Sequence, residues 1–270
     1  MTFQTVRRVR SQVQGAVTST ADLVFSMAVS SDYQCRDESF IATLDGAPLK
    51  VTEIQAPSCG RLHRIEGVPA GSLDVRYQTT VDGVVAPLLA TPLELLEFGR
   101  PSRYCDSDRL APVAAAHFAG QTGLALMNEV ARWVHDSLSY VSGSSRPVDG
   151  AVDTFLAREG ICRDFAHLVV AILRARNVPA RLVSVYAPGL SPMDFHAVAE
   201  AHLDGRWQVI DATGLAPRQS IVRIATGRDA ADTAFLTVTR GTMNFGSMTV
   251  EAVIDGRLPI DDPGQLAYIS

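Results

Sequence analysis

Cys162, His196 and Asp211 are the residues of this 270-residue chain whose types and order suit nucleophilic acyl chemistry. Cys162 follows Gly160-Ile161 and opens an apolar periodic stretch of Phe165, Leu168, Val169, Ile172 and Leu173. That spacing predicts a helix with the cysteine at its N-terminus. Unpaired N–H groups and the helix dipole favour negative charge there, and the thiolate is the nucleophilic form of cysteine. The plain alternative for a free cysteine is a small buried hydrophobe.

His196 opens a predicted strand, Phe195–Leu203. With a period of two, His196, Val198, Glu200 and His202 share one face and Ala197, Ala199, Ala201 and Leu203 the other. An alanine-rich face admits close packing of a helix, which places this strand against the Cys162 helix. Asp211 ends the next strand, Arg206–Asp211, and Asp204-Gly205 between the two is a tight hairpin signal. With that turn at the tip, position 198 faces 211 and position 196 faces about 213, so Asp211 is a near cross-strand neighbour of His196. A carboxylate beside an imidazole fixes its tautomer and stabilises the imidazolium. Alone, Asp211 would be a strand-end residue capping the turn into Ala212-Thr213-Gly214.

Other titratable groups fit less well. A metal site assembled from Cys162, His167, His196 and His202 fails on geometry. His167 lies five residues beyond Cys162, which turns it about 140° around the helix. Asp164 reads as compensation of the helix dipole, or as a salt-bridge partner of Arg163 that holds the cysteine loop. His63, His117, His135 and His202 are expected to be solvated.

The elements that must position the three residues fall into two units. Residues 1–100 are β-rich, with stretches Leu23–Val29, Phe40–Leu44, Leu73–Thr80 and Val84–Leu89 separated by turn signals at Asp45-Gly46, Pro57-Ser58, Pro69-Ala70-Gly71 and Asp82-Gly83. An antiparallel sandwich-like sheet is expected, with Asp82-Gly83 as the turn of a hairpin. Residues 101–270 open on a polar, turn-rich segment, PSRYCDSDRL. A helix then spans Gly123–Ser142, a Gly/Ser/Pro loop runs from Ser142 to Gly150, and the Cys162 helix closes at Asn177 before Pro179. Hairpin-linked strands follow from Arg181. The fold class is therefore α+β.

Composition excludes several functions. The formal net charge is −5 with 20% charged residues, so no basic field exists for nucleic acid or an anionic membrane. The longest apolar run, VVAIL, is far short of the ~20 residues that span a bilayer. The opening MTFQTVRRVRSQVQG has no apolar core of signal-peptide type. Cys35, Cys59, Cys105 and Cys162 form no CxxC pair, so free thiols in a reducing cytoplasm are the expectation.

The segment GICRDFAHLVVAILRARNVPARLVSVY closely resembles the cysteine motif of bacterial transglutaminase-like proteins. DFHAVAEAHLDGRWQVIDAT resembles the same family's His-Ala-x-x-Glu strand and its Trp-x-x-x-Asp strand. PSRYCDSDRL and the β-rich first hundred residues resemble the N-terminal region of its bacterial subgroup. Matched motif to motif, Cys162, His196 and Asp211 correspond to the family's catalytic triad, and the second unit to a papain-like/transglutaminase-like core. Val198 departs from the Trp that many relatives carry after His-Ala, which bears on the shape of the cleft. The run Gly227–Asp232 resembles a stretch downstream of the triad and is expected to wall the cleft. The resemblance implies a thioester on Cys162, with His196 as acid/base and Asp211 as orienter. It implies a peptide or protein substrate. No cofactor is expected, and with no Asp-rich loop of EF-hand type no calcium dependence is expected. Release of the thioester to water, giving a protease or amidase, and release to an amine stay open. A non-catalytic binding module is the alternative from another class. One oxyanion donor would be the Cys162 N–H, and the second has no assignment.

Overall fold

The computed structural model describes residues 5–270. Its first sheet is built from β1 (Val6–Phe25), β2 (Gln34–Leu44), β3 (Ala47–Pro48), β4 (Thr52–Gln55), β5 (Arg61–Val68) and β6 (Gly71–Asp82), in the spatial order β3-β2-β6-β1-β5-β4. β1 is much longer than Leu23–Val29 suggested. Val9, Val13, Val17, Ala21, Leu23 and Phe25 are buried, but Arg8, Arg10, Gln12 and Gln14 between the first of them hide the alternation from composition. The first half of β1 pairs with β6 and its last residues pair with β5, so one bent strand serves both halves of a curled, sandwich-like sheet. Asp45 and Gly46 both have positive φ and make the β2–β3 turn.

Val84–Leu89 forms no strand, and Asp82-Gly83 is not a hairpin turn. The reason is topological: β6 lies between β2 and β1, so neither of its edges is free for another partner. The segment instead runs to α1 (Pro92–Glu97), which the Thr91 hydroxyl caps by accepting from the Glu94 N–H.

The polar segment that opens the second unit already holds the start of a helix, α2 (Ser107–His117), followed by α3 (Gly123–Ser137), β7 (Ser139–Tyr140), α4 (Ala151–Ala157), β8 (Glu159–Gly160) and α5 (Cys162–Ala175). The second sheet comprises β9 (Ala180–Tyr186), β10 (Phe195–Leu203), β11 (Arg206–Ile210) and β12 (Val222–Gly227), ordered β11-β10-β9-β12. α6 (Ala230–Thr233) and β13 (Leu236–Ile254) complete the chain's elements. α5 packs on the alanine face, with Leu168, Val169, Ile172 and Leu173 in one core with Ala180, Ala199 and Ala201. Val183, Val185, Val198 and Val209 form a smaller core on the opposite face with Ile221, Ala267 and Ile269. No helix among the described residues is long and apolar enough to cross a membrane.

The two units do not divide at residue 100. β13 pairs with β1 from Phe25↔Leu236 to Arg7↔Ile254, so the last strand belongs to the first sheet. It curls strongly, and Phe235 and Phe245 meet with ring centroids 6.0 Å apart. At the bend, Gly241 has φ +78°, and a Cβ there would lie 2.2 Å from the Thr20 carbonyl oxygen. Only glycine meets both demands. Tyr186, Val222, Ile224 and Ala225 of the second sheet join the core of the first.

A buried charge network braces β9, β10 and β12. Glu200 accepts from Arg181 Nε at 2.8 Å and from Arg223 Nη2 at 2.6 Å, and Arg181 Nη1 reaches Glu94 at 3.0 Å. Burial alone would raise the Glu200 pKa, but Arg223 and Arg181 outweigh it and hold the carboxyl down at about 2. Its folded value is thus below the unfolded value of about 4.3, so its contribution is complete above that pH and drains away as pH falls toward 2. Glu200→Ala leaves two guanidinium groups short of their counter-charge and is expected to cost about 3–5 kcal/mol. Urea denaturation at pH 7 reads the loss. A midpoint within error of wild type would show that the network adds nothing.

Candidate active site

α5 starts abruptly at Cys162 because its first turn is satisfied locally. The Asp164 carboxylate reaches back to accept the Ile161 N–H at 2.9 Å. Gly160 admits this fold-back, since a Cβ there would sit 2.7 Å from the Asp164 Cβ. Asp164 also contacts Arg163 at 3.4 Å, and Arg163 donates to Ser145 Oγ and, at 2.8 Å, to the Arg146 carbonyl. Both readings of Asp164 therefore hold together: it stabilises the helix start and ties the 142–150 loop to the cysteine turn.

β10 and β11 pair as Ala199↔Ile210 and Glu200↔Val209, the register expected from a turn at Asp204-Gly205. His196 Nε2 and Asp211 Oδ2 are 2.8 Å apart. The other Asp211 oxygen accepts from the Thr213 N–H at 2.9 Å and the Thr213 hydroxyl at 2.6 Å. Both side chains are buried. Burial disfavours the imidazolium, but Asp211 and then Cys162 more than reverse it, raising His196 to about 10. Burial likewise works against the Asp211 carboxylate, while His196 and Thr213 hold its pKa below the ordinary value. The pair is an imidazolium–carboxylate. The second ring nitrogen, His196 Nδ1, is buried with no protein hydrogen-bond partner.

Cys162 and His196 line one cavity of about 590 Å³. The three residues singled out in the sequence are thus brought together: Asp211 bonds one nitrogen of His196, and Cys162 acts on the imidazole from the same cavity. The Gly227–Asp232 run contributes Ala230 and Ala231 to the wall. His167 stands elsewhere, accepting the Ala230 N–H at 3.1 Å and stacking on Tyr104 at 5.4 Å, so it braces that wall from behind.

Of the histidines expected in solvent, His63 is buried and His202 half-buried, while His117 and His135 are exposed. His63 is 4% exposed and stacks on Phe40 at 3.9 Å, and burial pushes its pKa down to about 4. His135 Nδ1 bonds the Ala212 carbonyl at 2.9 Å, and His202 lies edge-on to Trp207. Phe40 and Ala212 reach His63 and His135 from distant segments, which local pattern does not reveal, whereas Trp207 is the cross-strand partner of His202 in the β10–β11 hairpin.

Sequence inspection missed Tyr140. It pairs with Gly160 in the short parallel ribbon of β7 and β8, and the Val141 N–H donates to the Gly160 carbonyl at 3.0 Å. Tyr140 packs on Phe165 and lines the cavity beside Cys162. Burial and the charge of Cys162 raise its phenol to about 12. Two-residue strands leave no periodic signature, and Gly160 immediately before the cysteine motif was the one hint.

A family model described as the transglutaminase-like superfamily matches residues 115–212. The crystal structure of a "putative cysteine protease" from Cytophaga hutchinsonii is similar over 96% of this chain and 94% of that one, with TM-score 0.84 and 32% identity. An uncharacterized protein of Mycobacterium leprae is 25% identical over 247 residues, covering 86% of this chain and 80% of the relative. An uncharacterized protein of Mycobacterium tuberculosis is 34% identical over 143 residues, 47% of this chain and 45% of that protein.

Proposed function

The chain belongs to the transglutaminase-like superfamily, and from that premise we propose that this cysteine-dependent enzyme hydrolyses a peptide, amide or isopeptide bond through a thioester on Cys162. The observation that carries the reading is the His196–Asp211 pair, whose free nitrogen, Nδ1, is buried in the site that also holds Cys162.

The Cys162 thiolate attacks the carbonyl carbon. His196 gives its Nδ1 proton to the departing amine, and then takes a proton from the water that cleaves the thioester. Asp211 keeps the imidazole oriented and charged. The oxyanion that forms twice along this path needs two donors. The Cys162 N–H is one. The Tyr140 hydroxyl is the second, because the β7–β8 ribbon fixes it beside Cys162 and its raised pKa keeps it protonated across the working range. Water is the acceptor we favour, since the cavity opens to solvent and the described residues place no counter-charged cradle for an incoming ammonium beyond Asp194.

Profiling of peptide and isopeptide libraries with wild type and Cys162→Ala side by side tests the function. Cleavage by wild type alone supports it, and incorporation of an added primary amine would make the enzyme a transferase. Iodoacetamide should label Cys162 far faster than Cys35, Cys59 or Cys105, and equal labelling would favour a binding module. Tyr140→Phe keeps the ring on Phe165 and removes only the hydroxyl. It is expected to lower kcat about 10²-fold while iodoacetamide labelling of Cys162, which builds no oxyanion, keeps its rate. Equal losses in both assays would place Tyr140 in the activation of the thiol instead.

A further inference from the structure

The cavity at Cys162 is lopsided. One side, formed by the exposed Ser142, Gly143 and Pro147 of the loop over the cysteine with the half-buried Arg163 of α5, faces solvent. The other side runs under the first sheet and is apolar: Leu182, Ala197, Ile224, Phe235 and Met248. Phe195 stacks on Phe235 at 5.5 Å, so this side has an aromatic wall. Phe235 and Met248 come from the end and middle of the β13 segment, beyond all three candidate catalytic residues in the chain.

Its charges are few. Arg163 is committed to Asp164, Ser145 and the Arg146 carbonyl. Asp194 stands beside His196 and accepts the Phe195 N–H at 2.7 Å, and burial raises its pKa. Apart from the His196 imidazolium at the catalytic end, an acidic group entering the apolar side would meet no free cation among the lining residues.

Thr233 and Thr237 flank Phe235 in the lining, and two further hydroxyls stand out because they are unpaired. Ser26, just past β1, is 2% exposed, and Ser184 sits on β9. Both line the cavity, and both Oγ atoms are buried without a hydrogen-bond partner. Buried polar groups are nearly always paired, and an orphan costs stability unless something it binds repays the cost. Two such orphans in the lining of one cavity, one just past β1 and one on β9, mark a place where a polar ligand atom belongs. Rotation about the Cα–Cβ bond is all a serine needs to turn its hydroxyl toward such an atom.

We propose that the apolar side of the cavity takes a bulky, uncharged side chain of the acyl donor with a hydroxyl at its tip, tyrosine above all. The ring lies along Phe195 and Phe235, and the phenol donates to one serine and accepts from the other. A cavity of about 590 Å³ falls in the range of ligand sites and holds such a side chain with its flanking backbone. The first sheet then has a part in the chemistry, because it carries Ser26, Phe235 and Met248. This inference rests on the acyl-transfer reading and names the substrate class for it.

The test uses acetyl-X-aminomethylcoumarin and acetyl-X-Gly-aminomethylcoumarin, with X as Tyr, Phe, Leu, Gln, Glu or Lys. Wild type is expected to turn over Tyr about tenfold better than Phe, as one to two neutral hydrogen bonds allow. Glu and Lys should fall at least about 10²-fold below Tyr, since each would bury an uncompensated charge. In the double variant Ser26→Ala, Ser184→Ala the Tyr-to-Phe ratio of kcat/KM should collapse to about one. Iodoacetamide labelling of Cys162 in the same preparation reports whether the site is folded, and Ser26→Thr, which keeps a hydroxyl, should retain the preference if the double variant does not fold. A wild-type preference for Glu, Gln or Lys, or a Tyr-to-Phe ratio untouched by the serine changes, overturns the pocket assignment alone. Wild type no faster than Cys162→Ala on every substrate overturns the acyl-transfer reading and the pocket with it.

Discussion

Asp211→Asn is expected to lower turnover by about four orders of magnitude and leave the protein folded. The size of the loss follows from which atom of the new amide must face the histidine. One Asp211 oxygen accepts the Thr213 backbone N–H, a donor that cannot become an acceptor. An asparagine must therefore keep its carbonyl on Thr213 and turn its NH₂ toward His196 Nε2. That nitrogen then has to accept, which moves the ring proton to Nδ1, the side shared with Cys162. A neutral imidazole in that tautomer cannot take the thiol proton, and an imidazolium would set N–H against N–H. The carboxylate that raises His196 to about 10 is also gone, so its titration should drop toward or below the ordinary value of about 6.5. Turnover on any accepted substrate and the His196 proton resonances against pH check both halves. An Asp211→Asn variant with wild-type turnover would leave Asp211 as a cap for the Thr213 turn and nothing more.

His196→Ala should have the next largest effect, read on the thiol itself. Because His196 holds its proton up to about pH 10, a positive charge stays beside Cys162 throughout the neutral range. The sign is clear: below that pH the imidazolium favours thiolate, and only above it is the help lost. Wild-type alkylation of Cys162 by iodoacetamide should therefore be fast at pH 6, where the imidazolium is fully present. In His196→Ala the helix N-terminus acts alone. The rate at pH 6 should fall about 10²-fold, because one of the two charges that favour the thiolate is gone. Arg163 is the competing cation, but its guanidinium is spent on Asp164, Ser145 and the Arg146 carbonyl. If Arg163→Ala lowers that rate and His196→Ala does not, the arginine sets the charge state. A wild-type Cys162 labelled at pH 6 no faster than Cys35 or Cys59 would reduce it to an ordinary thiol.

The parts of the site that local rules govern were legible in the sequence. The Asp204-Gly205 turn set the β10–β11 register to the residue, and with it the meeting of His196 and Asp211. The apolar period after Ile161 set the start of α5, and the alanine face of β10 announced the helix that covers it. What escaped depends on partners far along the chain. Val84–Leu89 has strand-like residues, but the edge it needed is occupied by β1 and β2. β1 hides its alternation behind arginines and glutamines, and β13 reads as part of the second unit until its pairing with β1 is seen. Tyr140, Ser26 and Ser184 owe their place in the cavity to three separate elements, and no spacing links them.

The pairing of β1 with β13 also sets an order of events during synthesis. A chain emerging N-terminus first presents β1 long before its partner exists, and the residue pairs Arg7↔Ile254 and Val9↔Ala252 join opposite ends of the protein. Contacts so distant in sequence form late and slowly. Cys162, His196 and Asp211 are all made before Phe235 and Met248, so a nascent enzyme holds its reactive groups but not the wall that would seat a substrate. β13 is thus a checkpoint: the thiol stands in an unfinished cleft until the first sheet closes, and the cleft is whole only once the chain has folded through β13.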